Sequence, residues 1–382
     1  MNPMDELRAA RPAYYDAQVD ETTRAGELAH AMAQPRRTQS RKAWRPVWGL
    51  GLAGAAAATA VAVTVSVAGG GGVGVGAGGG STGVTALGSP GAAATPEVAR
   101  LSAKQLLLVA AESSRKTPVA EGAYWHREST SGVAQQVGTK VKYVVNTLGR
   151  AQFWIASTPD RPSYWVSQNL GTKPAKGQED AWRQDGSPTN WKIQVGTKRM
   201  SVTVDAGSGK PSRDRIDVNG KVFDLAGHNA SMAELRALPT TAEGLKRYLL
   251  KGYQGHGTEA NTPMDADAWL FQVTAGLLED MPVKPATRAA AYKVLAGIDG
   301  VRNLGQVTDA LGRTATGVGR TETWPTGRFE RQLLIDPDTG ALLTDQYVAV
   351  EPRGEYSWAK PGTPINWTAT IKASWTDETP DS

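Results

Sequence analysis

Between Val47 and Ala68 the chain runs for 22 residues without a charge. A helix of that length spans roughly 33 Å at ~1.5 Å per residue, enough to cross a hydrocarbon core. Its side chains are mainly Ala and Val, with Trp48, Leu50 and Leu52. Arg36, Arg37, Arg41, Lys42 and Arg45 crowd its N-terminal side, and no further charge follows until Glu97. That asymmetry predicts a cytoplasmic N-terminus and an exported C-terminal portion. Ser66-Val67-Ala68 also offers a small-x-small cleavage pattern, so a removed signal peptide is the competing reading. Signal peptides have a shorter apolar region and begin nearer the start of the chain. Length and position therefore favour an uncleaved signal-anchor, with the lipid bilayer as partner of residues 47–68.

This segment divides the chain. Residues 1–46 form a short mixed-charge cytoplasmic tail, interrupted by Pro12 and Pro35 and carrying at most two short helices. The tail is either partly disordered or a docking peptide for a cytoplasmic regulatory partner. Residues 69–96, with "GGGGVGVGAGGGSTG" followed by "SPGAAATP", are a Gly/Ala/Pro-rich linker. Its Gly74-Val75-Gly76-Ala77-Gly78-Gly79 run matches the dinucleotide fingerprint formally, but no strand precedes it and no helix follows. Residues 97–382 are the extracytoplasmic domain.

That domain has to hold together without disulfides, since the chain contains no cysteine. The same count excludes thiol catalysis, thiolate metal sites and lipidation at a cysteine. The net charge of +5, from 42 basic and 37 acidic residues, is too dilute for nucleic-acid binding. "LSAKQLLLVAAESSRK" opens the domain as a helix. Alternating segments follow: "GAYWHREST", "KVKYVVNTL", "AQFWIAST", "SYWVSQ", "NWKIQV" and "MSVTVDAG". Helices come next in "PTTAEGLKRYLLKGY", "MDADAWLFQVTAGLLED" and "KPATRAAAYKVLAGIDG". Strands return in "VRNLGQVTDA", "GRTATGVGRTET", "RFERQLLIDPDTGALLTDQYVAVEP" and "INWTATIKASW". Asp336-Pro337-Asp338-Thr339-Gly340 separates two apolar runs as a hairpin turn. Strands, helices and strands again predict an α+β domain with an antiparallel sheet and helices against one face.

The layout resembles a family of uncharacterised actinobacterial single-pass membrane proteins. "MDELRAARP", the apolar span, "RAAAYKVLAGIDGVRNLGQVTDALGRTATGVG" and "LLIDPDTGALL" carry the resemblance. The extracytoplasmic domain is also similar to the lipoprotein-carrier (LolA-like) fold, through its first helix, the "YWHRES" strand and the late hairpin. That resemblance implies a curved antiparallel sheet wrapped around helices, with an apolar cavity. Relatives of this kind sit beside genes for extracytoplasmic-function sigma factors, which implies a signalling role for the tail.

Candidate chemistry is sparse. His30, His126, His228 and His256 show no metal-ligand spacing, so no metal, cofactor or catalytic residue is expected. Asp265 and Asp267 suit a helix N-terminus, whereas Glu279-Asp280 closes a helix against the dipole and has no explanation in the sequence. "GSGKPS" from Gly207 lacks the spacing of a phosphate loop and reads as a turn. Ten of the twelve tryptophans lie beyond Glu97. Trp125, Trp154 and Trp165 on one curved face would line a ligand cavity, but filling the layer between sheet and helices is the commonest use of such residues and the favoured reading. The leading function is a membrane-anchored binding or sensor module for a lipid, an acyl chain or a peptide. A non-catalytic accessory envelope protein is the alternative, and a tethered hydrolase is disfavoured for want of a nucleophile, a metal site or paired acids. Intact mass of the membrane-extracted protein tests the anchor. An anchored chain keeps residues 47–68, whereas a product beginning after Ala68 would show a cleaved signal.

Overall fold

The computed structural model describes residues 101–195, 200–216, 219–258 and 263–380. The expected tail, anchor and linker lie outside the described residues. Among the described residues no helix is long and apolar enough to cross a membrane.

Ser102 starts the domain with a capping box. Its side chain accepts from the Gln105 amide while Gln105 Oε1 accepts from the Ser102 amide. The helix that follows, α1 (Ala103–Lys116), buries Leu106, Leu107, Ala110 and Ala111. Three long strands then form a meander: β1 (Tyr124–Val137), β2 (Tyr143–Ala156) and β3 (Ser163–Pro174). After the short α2 (Glu179–Gln184) come β4 (Asn190–Val195), β5 (Met200–Asp205) and β6 (Ser212–Ile216). A small hairpin, β7 (Phe223–Leu225) with β8 (His228–Ala230), leads into four helices. These are α3 (Met232–Ala237), α4 (Ala242–Leu250), α5 (Ala266–Asp280) and α6 (Pro285–Leu295). A second meander closes the chain: β9 (Arg302–Thr308), β10 (Thr314–Trp324), β11 (Gly327–Asp336), β12 (Ala341–Pro352) and β13 (Pro364–Thr376).

The expected α+β class holds, with a curved antiparallel sheet and helices against it. The main sheet has nine strands in the order β6-β3-β2-β1-β13-β12-β11-β10-β9. The two meanders meet at one seam, where β1 pairs with β13 from Tyr124↔Thr376 to Val133↔Asn366. Bulges at Glu128/Ser129, Leu148/Gly149 and Tyr347/Val348 bend the strands. "NWKIQV" and "MSVTVDAG" do form strands, but they pair with each other as a separate ribbon rather than joining the sheet.

One face of the sheet, here called the inner face, packs on the helices. Val318, Leu333, Ile335 and Leu342 from the late strands meet Trp269, Phe271, Leu277, Tyr292 and the α1 leucines in one apolar layer. Trp269 is 1% exposed and Leu333 is fully buried. The Asp336–Gly340 turn locks the β11–β12 hairpin onto this layer. Ser114 Oγ and Tyr292 Oη both donate to the Gly340 carbonyl, at 3.3 and 2.8 Å, and Ser113 Oγ donates to the Pro337 carbonyl at 2.7 Å. Gly340 has φ +67°, and a Cβ there would lie 2.2 Å from Ser114 Oγ, so only glycine closes the turn against α1.

Candidate functional site

The helix α5 begins at Asp265, whose carboxylate accepts from the Ala268 amide at 2.7 Å. It ends on Glu279 and Asp280, where the helix dipole is already negative. Arg127, on the central strand β1, supplies what those carboxylates lack. Its Nη2 donates to Glu279 Oε1 at 2.6 Å, and its Nε lies 2.7 Å from Asp280 Oδ1. Arg127 itself is 3% exposed, and its Nη1 also donates to Ser129 Oγ. Trp125 adds an indole N–H to the Asp280 carbonyl at 3.0 Å. At the other end of α5, Arg320 of β10 donates to Asp265 Oδ1 at 3.2 Å. One helix is thus fastened at both ends to strands of the inner face.

A second buried pair sits on the later strands. Arg331 of β11 grips Asp345 of β12 through Nε, 3.0 Å from each carboxylate oxygen, and through Nη2. Its guanidinium also stands 5.4 Å from the centroid of the Tyr347 ring. Glu322 of β10 faces the same interior, because it is in register with Phe329, which is in turn in register with Ala349. It is 5% exposed, and neither carboxylate oxygen has a hydrogen-bond partner.

Four buried carboxyls therefore share two buried guanidiniums. Burial first, and the Asp280 charge second, push the Glu279 carboxyl well above its ordinary range despite Arg127. Burial raises Asp280 to about 6 against the pull of Arg127. Burial likewise raises Glu322 to about 7, opposed by Arg331 and Arg320.

Next to this charged row the inner face changes character. Ser131 is in register with Gly149 of β2 and Thr368 of β13, and Thr368 with Asp345. One row over, Val133 aligns with Thr147 and Asn366, and Asn366 with Tyr347. These hydroxyl and amide positions on β1, β2 and β13 are half-buried. Thr370, in register with Ser129, keeps a buried Oγ1 with no hydrogen-bond partner. The row of Trp125, Ile155 and Trp375 bounds the stretch on one side. At the far end the β4–β5 ribbon closes it, with Trp191 Nε1 donating to Tyr143 Oη at 2.7 Å. Gly171 admits that ribbon, since a Cβ there would lie 2.3 Å from the Ala206 carbonyl oxygen. From Ser129 to Val133 the polar stretch covers about 13 Å of strand.

The three tryptophans do not share a face. Trp125 and Trp165 stand on the inner face, in register with Ile155 and Phe153. Trp125 meets Trp375 edge to face at 5.6 Å, and Trp165 stacks on Phe153 at 6.1 Å. Trp154 is in register with His126 on the opposite face and stacks on its ring at 4.2 Å. A single Trp125–Trp154–Trp165 lining is therefore corrected: strand alternation separates Trp154 from the other two. Burial, with Lys372 nearby, lowers the His126 pKa. His228 bonds Glu234 at 2.7 Å, a carboxylate that also accepts from Tyr248 Oη. Among the described residues no group of His, Asp and Glu is arranged to hold a metal.

No protein-family model and no curated protein matches the chain.

Glu322 generates a pH signature. In the unfolded chain a glutamate loses its proton near pH 4, whereas in the fold this one holds it to about 7. Its contribution to stability is therefore lost as pH rises from about 4 to 7 and stays level above. Urea unfolding should show Glu322→Gln gaining on the parent by about 3 kcal/mol between pH 4 and pH 8. A difference that does not change with pH would mean the carboxyl is not held neutral.

Proposed function

We propose that the chain is a membrane-anchored, non-enzymatic extracytoplasmic binding or sensor protein. Residues 47–68 hold it in the bilayer, and its ligand is an extended peptide seated on the polar stretch of the inner face. The observation that carries this reading is the change along that face from packed apolar side chains to half-buried hydroxyls and amides around Ser131, Thr147 and Thr368. Main-chain amides and carbonyls of an extended segment match such groups, and about four residues span the stretch.

A lipid or acyl chain fits less well. It asks for a continuous apolar lining, and the apolar side chains of the inner face are divided among the helix layer, the β4–β5 ribbon and the Trp324–Phe329–Tyr347 cluster. The likeness to the lipoprotein-carrier fold is thus read as a likeness of scaffold, with a different cargo. The tail of residues 1–46 would pass the bound state to a cytoplasmic regulatory partner, in keeping with the sigma-factor association of similar proteins.

Fluorescence polarisation with the full chain in detergent micelles tests the ligand class, using a labelled pool of polar hexapeptides and, as competitor, palmitate. The peptides should bind, and palmitate should not displace them. Ser131→Trp, which fills the stretch, should weaken binding at least tenfold with the circular dichroism unchanged. Displacement by palmitate, or binding indifferent to Ser131→Trp, would contradict the peptide reading.

A further inference from the structure

On β10, three strands across the sheet from β13, the inner face carries two unsatisfied groups of opposite kind. Glu322 presents a carboxyl with both oxygens unpartnered, and Trp324, two residues on and on the same face, has a buried indole N–H without an acceptor. A strand brings such neighbours within about 7 Å of each other. Around them stand aromatic rings: Phe329 is in register with Glu322, and Tyr356 meets Phe329 edge to face at 5.5 Å. Trp324, Phe329 and Tyr347 form one apolar cluster, with Met264, Tyr356 and Trp358 packed on it.

The nearby arginines act on Glu322 through their charge but give it no hydrogen bond. Arg331 directs three N–H···O contacts to Asp345. Arg320 donates from Nη2 to Asp265 and from Nε to the Asp299 carbonyl. A buried acceptor and a buried donor left open side by side are costly, and native interiors seldom keep them without a partner.

We infer that this end of the inner face is a subsite for a protonated amine with a neighbouring carbonyl, as in an amino-acid amide or the first residue of a peptide. The carboxylate of Glu322 accepts from the ammonium, Trp324 Nε1 donates to the carbonyl, and the aromatic faces take the cation and an adjoining apolar side chain. The arrival of an ammonium favours ionisation of the carboxyl, which holds its proton only to about pH 7 in the free protein. This inference rests on the reading of the domain as a binding module, but uses none of the residues of the polar stretch.

Calorimetric titration of the full chain in micelles at pH 7 tests it, with phenylalaninamide, N-acetylphenylalaninamide and tetramethylammonium as probes. Phenylalaninamide should bind at least about tenfold more tightly than either of the others, as a charge-assisted hydrogen bond implies. Glu322→Gln should abolish that preference, Trp324→Phe should weaken phenylalaninamide several-fold, and Ser131→Trp should leave it unchanged. Tryptophan fluorescence of each variant verifies the fold. Equal binding of the acetylated probe or of tetramethylammonium, insensitivity to Glu322→Gln, or no binding of phenylalaninamide would overturn the subsite. If hexapeptides still bound in a manner sensitive to Ser131→Trp, the polar-stretch reading would survive that failure. The reverse pattern would remove the stretch and keep the subsite.

Discussion

The guanidinium of Arg127 decides how the helix layer meets the sheet. A helix ending on two buried carboxylates carries an electrostatic debt that packing alone does not relieve, because the dipole adds to it. Arg127 meets both carboxylates from β1, the strand that joins the two meanders through its pairing with β13. The seam of the sheet and the end of α5 are therefore fixed by the same side chain. Buried ion pairs of this kind contribute little net stability compared with well-packed apolar residues, but breaking one leaves an uncompensated charge. Their use here is positional: α5 has one place to end.

From that fixed point the inner face divides into three zones. The apolar layer under α1, α5 and α6 holds the domain together. The charged row of Arg127, Arg331 and their carboxyls borders it, with more acids than arginines. Beyond lies the polar stretch of β1, β2 and β13, closed at its far end by the β4–β5 ribbon. The polar stretch thus sits on paired strands beside the buried ion pairs rather than on loops. A binding event that touches the charged row would also touch the fastening of α5, which gives a sensor a physical route from ligand to helix position.

Much of this was legible in the sequence. The opening helix in "LSAKQLLLVAAESSRK", the Asp336–Gly340 turn and the strands–helices–strands order follow from local chemistry, and all three appear as expected. What needed the structure was pairing over distance. Glu279-Asp280 stood out as an anomaly in a helix, yet its explanation lies on a strand 152 residues away. Trp125 and Trp154 looked equivalent, and only the β1–β2 register, with Trp154 opposite His126, puts them on different faces. The alternation in "NWKIQV" marks a strand but says nothing about which strand it pairs with. Glu322 and Trp324 share a face by simple alternation within "GRTETW", but a glutamate on a strand reads as solvent-facing until its neighbours are known.

The most direct measurement is equilibrium unfolding of the full chain in micelles, followed by tryptophan fluorescence, for two variants. Arg127→Met alone should cost about 3–5 kcal/mol, since it strands Glu279 and Asp280 without a cation. Adding Glu279→Gln and Asp280→Asn to it should recover most of that loss. A single substitution costing less than about 1 kcal/mol, or a triple variant no more stable than the single one, would show that α5 is held by packing and that the Arg127 contact is incidental.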